Sequence, residues 1–204
     1  MAKKNSGNFQ LEKASGELLI TTSAAQKTSN FQPVDNYVEG AIFNATVSAT
    51  VANTVTETTL IGTGTGSLTL PVNFLAVAKA IEVEAWGTIA TILTPTLRIK
   101  VKLGTNVIID TTAATLLTIT GTNLWNTKAV IDCRTAGATG TVFGQGMGMY
   151  YTSVTGLSGI ASPNTTTSTV DTTATQVIDF TVTWGTASAS NTITCTNFKV
   201  KVTM

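Results

Sequence analysis

Apolar and polar residues alternate along most of this chain, from about residue 41 onward. The clearest example is segment 97–103, in which basic residues separate the apolar ones. A period of two is typical of a β-strand with one face in the core and one in water. We therefore predict a strand with an inward and an outward set of side chains: Leu97, Ile99, Val101 and Leu103 inward, and Arg98, Lys100 and Lys102 outward.

The same pattern predicts further strands. They are expected at residues 43–51, 56–61, 67–70, 80–87, 107–109, 127–134, 141–152, 176–184 and 192–204. A tight hairpin turn is expected at 104–106. The apolar phase slips by one between Cys195 and Phe198, which predicts a bulge near Asn197. The predicted core includes Leu97, Ile99, Val101, Ile178, Phe180, Val182 and Trp184.

Two segments are predicted as loops. Residues 62–66 read Gly-Thr-Gly-Thr-Gly, and glycine-rich backbone favours turns over strands. Residues 153–175 contain glycines, a proline and a run of threonines, as in a long functional or mobile loop. No amphipathic helix is predicted. Eight or so strands between such turns indicate an all-β sandwich or barrel formed by residues 41–204.

Residues 1–40 differ from the rest of the chain. They carry both signs of charge, scattered apolar residues and little periodicity, apart from a short strand expected at 17–22. Such a segment buries too little apolar surface to order itself, so we predict an N-terminal arm that docks on a partner. The expected assembly anchors of this arm are Phe9, Leu11, Leu18, Ile20 and Phe31.

The composition of the chain argues for a protein partner and against nucleic acid and membranes. The chain has 204 residues, enough for one domain, of which 43% are hydrophobic and only 11% charged. Weak electrostatic solubilisation indicates a protein that packs against others, with a stable threonine-rich monomer as the alternative. A net charge of +1 argues against nucleic acid as a partner. The sequence shows neither a secretory signal nor an apolar run long enough for a membrane helix, so we expect synthesis in a cytoplasm and no membrane partner.

Candidate catalytic and metal chemistry is sparse. The absence of histidine excludes Ser-His-Asp and Cys-His catalysis and a Cys/His zinc site. Cys133 and Cys195 are expected to be small buried residues that pair only if their strands are neighbours. Glu82 and Glu84 could resemble a carboxylate pair, but we expect a solvent-facing strand whose charges pair with Lys100 and Lys102. We therefore predict no enzyme activity, no metal and no cofactor. A hydrolase is the least favoured alternative function.

Glycine occupies every second position at Gly144, Gly146 and Gly148. This spacing lacks the pattern of a nucleotide-binding loop. Instead, one face of the strand has no side chains, so a large group must cover it. We expect close packing there, against either an aromatic residue of the opposite sheet or a neighbouring subunit.

Several strand segments resemble jelly-roll domains of tailed-bacteriophage virion proteins. They are residues 50–61 (TVANTVTETTLI), 94–104 (TPTLRIKVKLG), 140–146 (GTVFGQG), 170–173 (VDTT) and 178–193 (IDFTVTWGTASASNTI). The resemblance covers roughly residues 45–204. It implies a single jelly-roll-type β-sandwich in a virion component, commonly a homotrimer, with no catalytic residues to carry over.

This family includes head decoration proteins as well as tail and fibre proteins. The chain has no coiled-coil or repeat shaft, which favours a capsid decoration protein that binds the major capsid protein through its arm. The alternative is a tail, collar or fibre-associated module that binds a host receptor or glycan. That module would use loop 153–175 and surface aromatic residues: Trp86, Trp125, Tyr150 and Tyr151.

Overall fold

The computed structural model describes residues 10–14, 17–21, 40–119, 121–153, 155–162 and 164–203. Within these residues the chain is all-β, with no helix. None of the described segments is a helix that could cross a membrane. The chain divides into two compact units, Met1–Val38 and Glu39–Met204.

The first unit contains a β-hairpin. Strand β1 (Gln10–Ala14) pairs antiparallel with β2 (Glu17–Thr21), and Leu11 lies opposite Ile20 in the register. The strand expected at 17–22 is therefore confirmed. The pairing with β1 was not predicted, because residues 10–14 alone show no clear alternation.

The described residues of the second unit form fifteen strands. The strands before the hairpin turn at 104–106 are β3 (Gly40–Ala45), β4 (Ala49–Ala52), β5 (Thr58–Thr59), β6 (Gly64–Gly66), β7 (Thr69–Leu70), β8 (Ala80–Ala90) and β9 (Thr96–Leu103). The remainder are β10 (Asn106–Asp110), β11 (Ala114–Thr115), β12 (Asn123–Thr135), β13 (Thr141–Tyr151), β14 (Leu157–Ala161), β15 (Ser168–Thr169), β16 (Gln176–Trp184) and β17 (Thr192–Thr203).

These strands form two antiparallel sheets in a sandwich-like arrangement. The large sheet has the order β14-β13-β12-β8-β17-β3-β6, with β15 on β13 and β4 on β17. The small sheet has the order β10-β9-β16-β5, with β11 on β9 and β7 on β16. Residues on the two inner faces interdigitate in the core, as expected for packed sheets.

The predicted core is confirmed, because all seven of its residues are buried. Phe180 lies at its centre, with its ring 6.2 Å from that of Trp125 and 5.9 Å from that of Phe198, across the two sheets. The bulge is confirmed by a register shift between Cys195 and Asn197. The hairpin is confirmed by the pairing of Asn106 with Leu103.

Three predictions about local structure were wrong. Residues 43–51 form two strands, β3 and β4, and Val47 between them is 55% exposed. Segment 153–175 is not one loop, because β14 extends the large sheet beside β13 and β15 pairs there as well. The glycine-rich segment 62–66 contributes β6, which pairs with β3.

Close backbone approach explains the glycines of β6. A Cβ atom on Gly64 would lie only 2.0 Å from the carbonyl oxygen of Asn44, and Gly66 has φ of +92°. Only glycine fits both the contact and the backbone conformation. Composition alone indicated flexibility because it does not register how closely another strand approaches.

Candidate functional site

The outer face of the large sheet is the most distinctive surface of the second unit. Strand alternation sends every second residue of β8, β12, β13 and β14 away from the core. The register aligns these residues in rows across the strands. In one row Trp86 of β8 lies opposite Asn126 of β12, which lies opposite Met149 of β13.

Large apolar side chains cluster on this face. They belong to four adjacent strands and are 38% to 65% exposed. We call them the apolar outer patch: Trp86, Leu124, Met147, Met149, Tyr151 and Leu157. Tyr151 lies opposite Leu157 across the edge of the sheet, so the patch is continuous from β8 to the edge strand β14.

A strip of paired charges borders this patch. The Nζ atom of Lys128 lies 2.7 Å from Oε2 of Glu82 and 3.5 Å from Oε1 of Glu84. On the other side, Nζ of Lys201 lies 3.3 Å from both glutamates. Partial burial tends to raise the pKa of Glu82, but hydrogen bonding, chiefly from Lys128, gives a net lowering.

The predicted pairing of these glutamates with Lys100 and Lys102 was wrong. Strand β8 belongs to the large sheet and β9 to the small one, so their outer faces point in opposite directions. The lysines of the charged strip come instead from β12 and β17, the immediate neighbours of β8. Adjacent strands supply the partners, as is usual for cross-strand pairs.

On the outer face of the small sheet, Glu57 contacts side chains of β9 and β16. It forms ion pairs with Lys100 and Lys102 and accepts a hydrogen bond from Thr181 Oγ1 at 3.0 Å. The hydrogen bond from Lys100 is the main cause of a lowered pKa of Glu57, about 2. Lys100 and Lys102 point outward from the core as predicted, but their pairing with Glu57 leaves their side chains only 15% and 24% exposed.

A second ion pair lies on the same face. Nε of Arg98 donates to Oδ1 of Asp110 at 2.8 Å, and a second guanidinium nitrogen contacts Oδ2. The hydrogen bond from Arg98 lowers the pKa of Asp110. This surface satisfies its charges within the chain.

The glycines of β13 lie on the inner side of the large sheet or against a neighbouring strand. A Cβ on Gly144 would be 2.6 Å from Cγ2 of Ile108 on β10, and one on Gly146 would be 2.9 Å from Cβ of Ala129. Gly144 is therefore covered by an aliphatic residue of the opposite sheet, not by an aromatic one. Beside Gly148 lies a cleft of about 10 Å³, room for roughly one water.

The four aromatic residues named for glycan binding fall into two pairs. Trp125 and Tyr150 are buried, and Trp125 Nε1 donates to the carbonyl oxygen of Thr194 at 3.0 Å. Trp86 is 51% exposed and Tyr151 38% exposed. Only this second pair can contact a ligand, so the prediction of Trp125 and Tyr150 as surface residues was wrong.

The cysteines are both buried and free, so the expectation of small buried residues is confirmed. Burial raises the pKa of Cys195 to about 11 and also raises that of Cys133. Among the residues that the structure describes, no cluster of three or more acidic or cysteine side chains could hold a metal ion.

The predicted arm anchors are only partly within the described residues. Leu11 lies in β1, and Leu18 and Ile20 lie in β2. Phe9 and Phe31 lie outside the described residues. Docking of this segment stays a prediction.

Most of the apolar outer patch was not predicted from the sequence. Leu157 was assigned to a loop, and Leu124 lay outside the strand predicted at 127–134. A signal was present for Met147 and Met149, because they alternate with Gly146 and Gly148 and so occupy the opposite phase of β13. What the sequence could not give was the pairing that joins these residues into one surface.

Comparisons with protein-family models, with curated proteins and with solved structures find no match to this chain.

Proposed function

We propose that this chain is a non-enzymatic structural protein of a bacteriophage virion, with a jelly-roll-type sandwich as its assembly domain. Within that class we favour a capsid decoration protein on the head surface. Residues 1–40 attach it to the major capsid protein, and copies of the chain associate, three being the number that the resemblance implies. The observation that carries the proposal is the apolar outer patch.

The size of the patch supports a protein partner. With about 200 Å² for a large side chain, the exposed fractions correspond to on the order of 600 Å² of apolar surface. That is at the upper end of what monomeric proteins expose, roughly 300–600 Å². It also approaches the roughly 800 Å² that each partner contributes to a standard interface. A surface of this size, spread over four strands of one sheet, fits a folded chain better than a small molecule.

The chemistry of the acidic residues supports a structural role. Both carboxylates that the sequence singled out, Glu82 and Glu84, are engaged by Lys128 and Lys201. The virion assignment itself comes from the segments that resemble jelly-roll virion proteins, and from the low charge of the chain.

The decisive experiment locates the protein in intact particles. Purified virions should contain the chain in many copies, and antibodies against it should label the head surface in electron micrographs. A chain without residues 1–38 should keep a β-rich circular dichroism spectrum but fail to bind particles. Absence of the protein from purified virions would show that the proposal is wrong, and labelling of the tail would replace the head assignment.

The receptor-binding alternative is favoured by one observation. Trp86 and Tyr151 expose aromatic rings on the same face of the large sheet, and such rings can stack on sugars. Glycan-array binding by the isolated protein that is lost in Trp86→Ala would support this function. Binding that survives the substitution would place the glycan elsewhere.

A further inference from the structure

One end of the sandwich carries little charge. Five connections lie at the end where β8 leads into β9. One of them, residues 53–57 after β4, contains Glu57, which pairs with Lys100 and Lys102 on the outer face of the small sheet. The other four, residues 91–95, 116–122, 152–156 and 185–191, contain no Asp, Glu, Lys or Arg. We call the surface of these four connections the uncharged end.

Aliphatic side chains project from the uncharged end. Leu93 is 85% exposed, Leu117 54% and Ile92 42%. Leu93 also has φ of +55°, and the next residue, Thr94, has φ of +48°. Neither residue type adopts this left-handed conformation readily, and a β-branched threonine does so least. The fold therefore holds an apolar side chain in water on a strained backbone, a combination that often marks a functional contact.

Buried polar groups hold residues 91–95, which we call the Leu93 tip, in place. The backbone N–H of Ile92 donates to Oδ1 of buried Asn191 at 2.9 Å. Buried Thr91 donates from Oγ1 to the carbonyl oxygen of Leu117 at 2.8 Å, and Leu117 N donates to the hydroxyl of Tyr150 at 3.1 Å. A tip fixed before binding loses little conformational entropy when it docks.

We propose that the Leu93 tip of one copy packs into the apolar outer patch of a second copy. This inference rests on the proposed function, in which that patch is an assembly surface. The chain itself offers matching chemistry, because the tip has no charge and the patch has Lys128 as its one charged neighbour on β12, engaged by Glu82. Met147 and Met149 are flexible side chains that can pack around a branched leucine.

The positions of the Leu93 tip and the apolar outer patch determine which type of contact forms between copies. The patch reaches the uncharged end at Tyr151 and Leu157, which flank connection 152–156. Tip and patch are different surfaces, the tip at the end of β8 and the patch on the outer face of β8, β12, β13 and β14. A copy that docks by its tip leaves its own patch open for the next copy, which is a heterologous contact. Such contacts generate rings when the rotation closes.

A lipid bilayer is a poorer partner for the tip. Surface binding to membranes usually combines apolar residues with Lys or Arg next to them, and the four connections contain neither. The protein should therefore not float with anionic phosphatidylserine vesicles. Flotation that is lost in Leu93→Asn would overturn the inference in favour of a membrane.

The first test compares two substitutions at opposite ends of the sandwich. Leu93→Asn removes the apolar side chain, while asparagine tolerates a positive φ, so folding is expected to be retained. In sedimentation velocity the dissociation constant for self-association should rise by at least about tenfold, as for loss of a central apolar contact. The matched control is Val77→Asn, which removes a 62% exposed aliphatic residue from the connection before β8, at the other end. It should associate like the wild type.

The second test reads the contact directly. Leu93→Cys and Met147→Cys are made in separate chains with different tags, mixed and oxidised. The native Cys133 and Cys195 are buried and should not react. A disulfide between the two different chains supports the tip-on-patch contact, whereas disulfides only between two Met147→Cys chains would overturn it in favour of face-to-face packing.

The outcomes separate this inference from the proposed function. If Met147→Asn abolishes self-association but Leu93→Asn does not, the patch is an assembly surface and the tip is not its occupant. A wild-type chain that is monomeric at all accessible concentrations also overturns the inference. The virion assignment is tested independently by the presence of the protein in particles.

Discussion

The two outer faces of the sandwich differ although both arise from the same alternation of residues. On the small sheet, Glu57 bridges Lys100 and Lys102 from the connection between β4 and β5. On the large sheet, the charged strip occupies part of the face and the apolar outer patch occupies the rest. One face satisfies its polar groups within the chain, and the other leaves apolar surface in water.

This difference predicts where substitutions should change folding and where they should change the proposed self-association. Substitutions on the small sheet should change the free energy of unfolding, since their side chains hold a connection in place. Substitutions in the apolar outer patch should change association and leave unfolding nearly unchanged, because exposed side chains contribute little to a monomer.

The largest effect on the free energy of unfolding is expected in the core between the two sheets. Phe180 is fully buried between Trp125 of the large sheet and its own small sheet. Phe180→Ala should lower the free energy of unfolding by about 3–5 kcal/mol, because it removes apolar contacts and leaves a cavity. Urea denaturation followed by tryptophan fluorescence measures this. A loss below about 1 kcal/mol would contradict the central position of Phe180.

Glu57→Gln should have the next largest effect. It removes the negative charge that neutralises two lysines, whose side chains are 15% and 24% exposed. Partial solvent screening reduces the cost, and we expect a loss of about 1–2 kcal/mol at pH 7. The matched control is Asp179→Asn on the same face, which accepts a single hydrogen bond from Thr59. Equal losses in the two variants would contradict a special role for Glu57.

The pH dependence of stability sharpens the same contrast. The pKa of Glu57 is lowered from 4.5 to about 2 in the folded chain, so its stabilisation is complete above pH 4.5 and is lost as the pH falls toward 2. Asp110, whose pKa is also lowered, contributes in the same direction. Denaturation at pH 7 and pH 3 should show a smaller drop in stability for Glu57→Gln than for the wild type. An unchanged drop would mean that other carboxylates dominate.

The smallest effect on folding is expected in the apolar outer patch. Met147 is 65% exposed, so Met147→Asn should change the free energy of unfolding by less than about 0.5 kcal/mol. The same substitution should weaken self-association in sedimentation experiments. A large loss of monomer stability would show that Met147 packs within the chain, and the contrast between the two faces would fail.

Much of the fold follows from local pattern. The strict alternation at 97–103 and 176–184 identified two central strands and their buried sides correctly. The phase slip at Cys195 located the bulge. The pattern failed at β6 and β14, where glycine and loop-like composition hide strands that form only because another strand lies beside them.

The candidate site was less accessible to sequence reasoning. The exposure of Trp86 followed from its phase in β8, but its neighbours on the outer face come from residues more than 30 positions away. The partners of Glu82 were predicted wrongly for the same reason. Alternation shows which side chains share a face of one strand, and it does not show which strand lies next to it.

The sequence by itself determined the all-β class of the described residues, the seven core residues predicted in β9 and β16, and the absence of histidine from any chemistry. These properties depend on the period of two and on residue type, both of which are local. Only the tertiary structure decided that Glu57 pairs with two lysines on the outer face of the small sheet, and that six apolar side chains form one patch on the large sheet. It also decided that Leu93 is exposed at the uncharged end. Those features depend on sheet order and register, which are set by long-range pairing and packing between the strands.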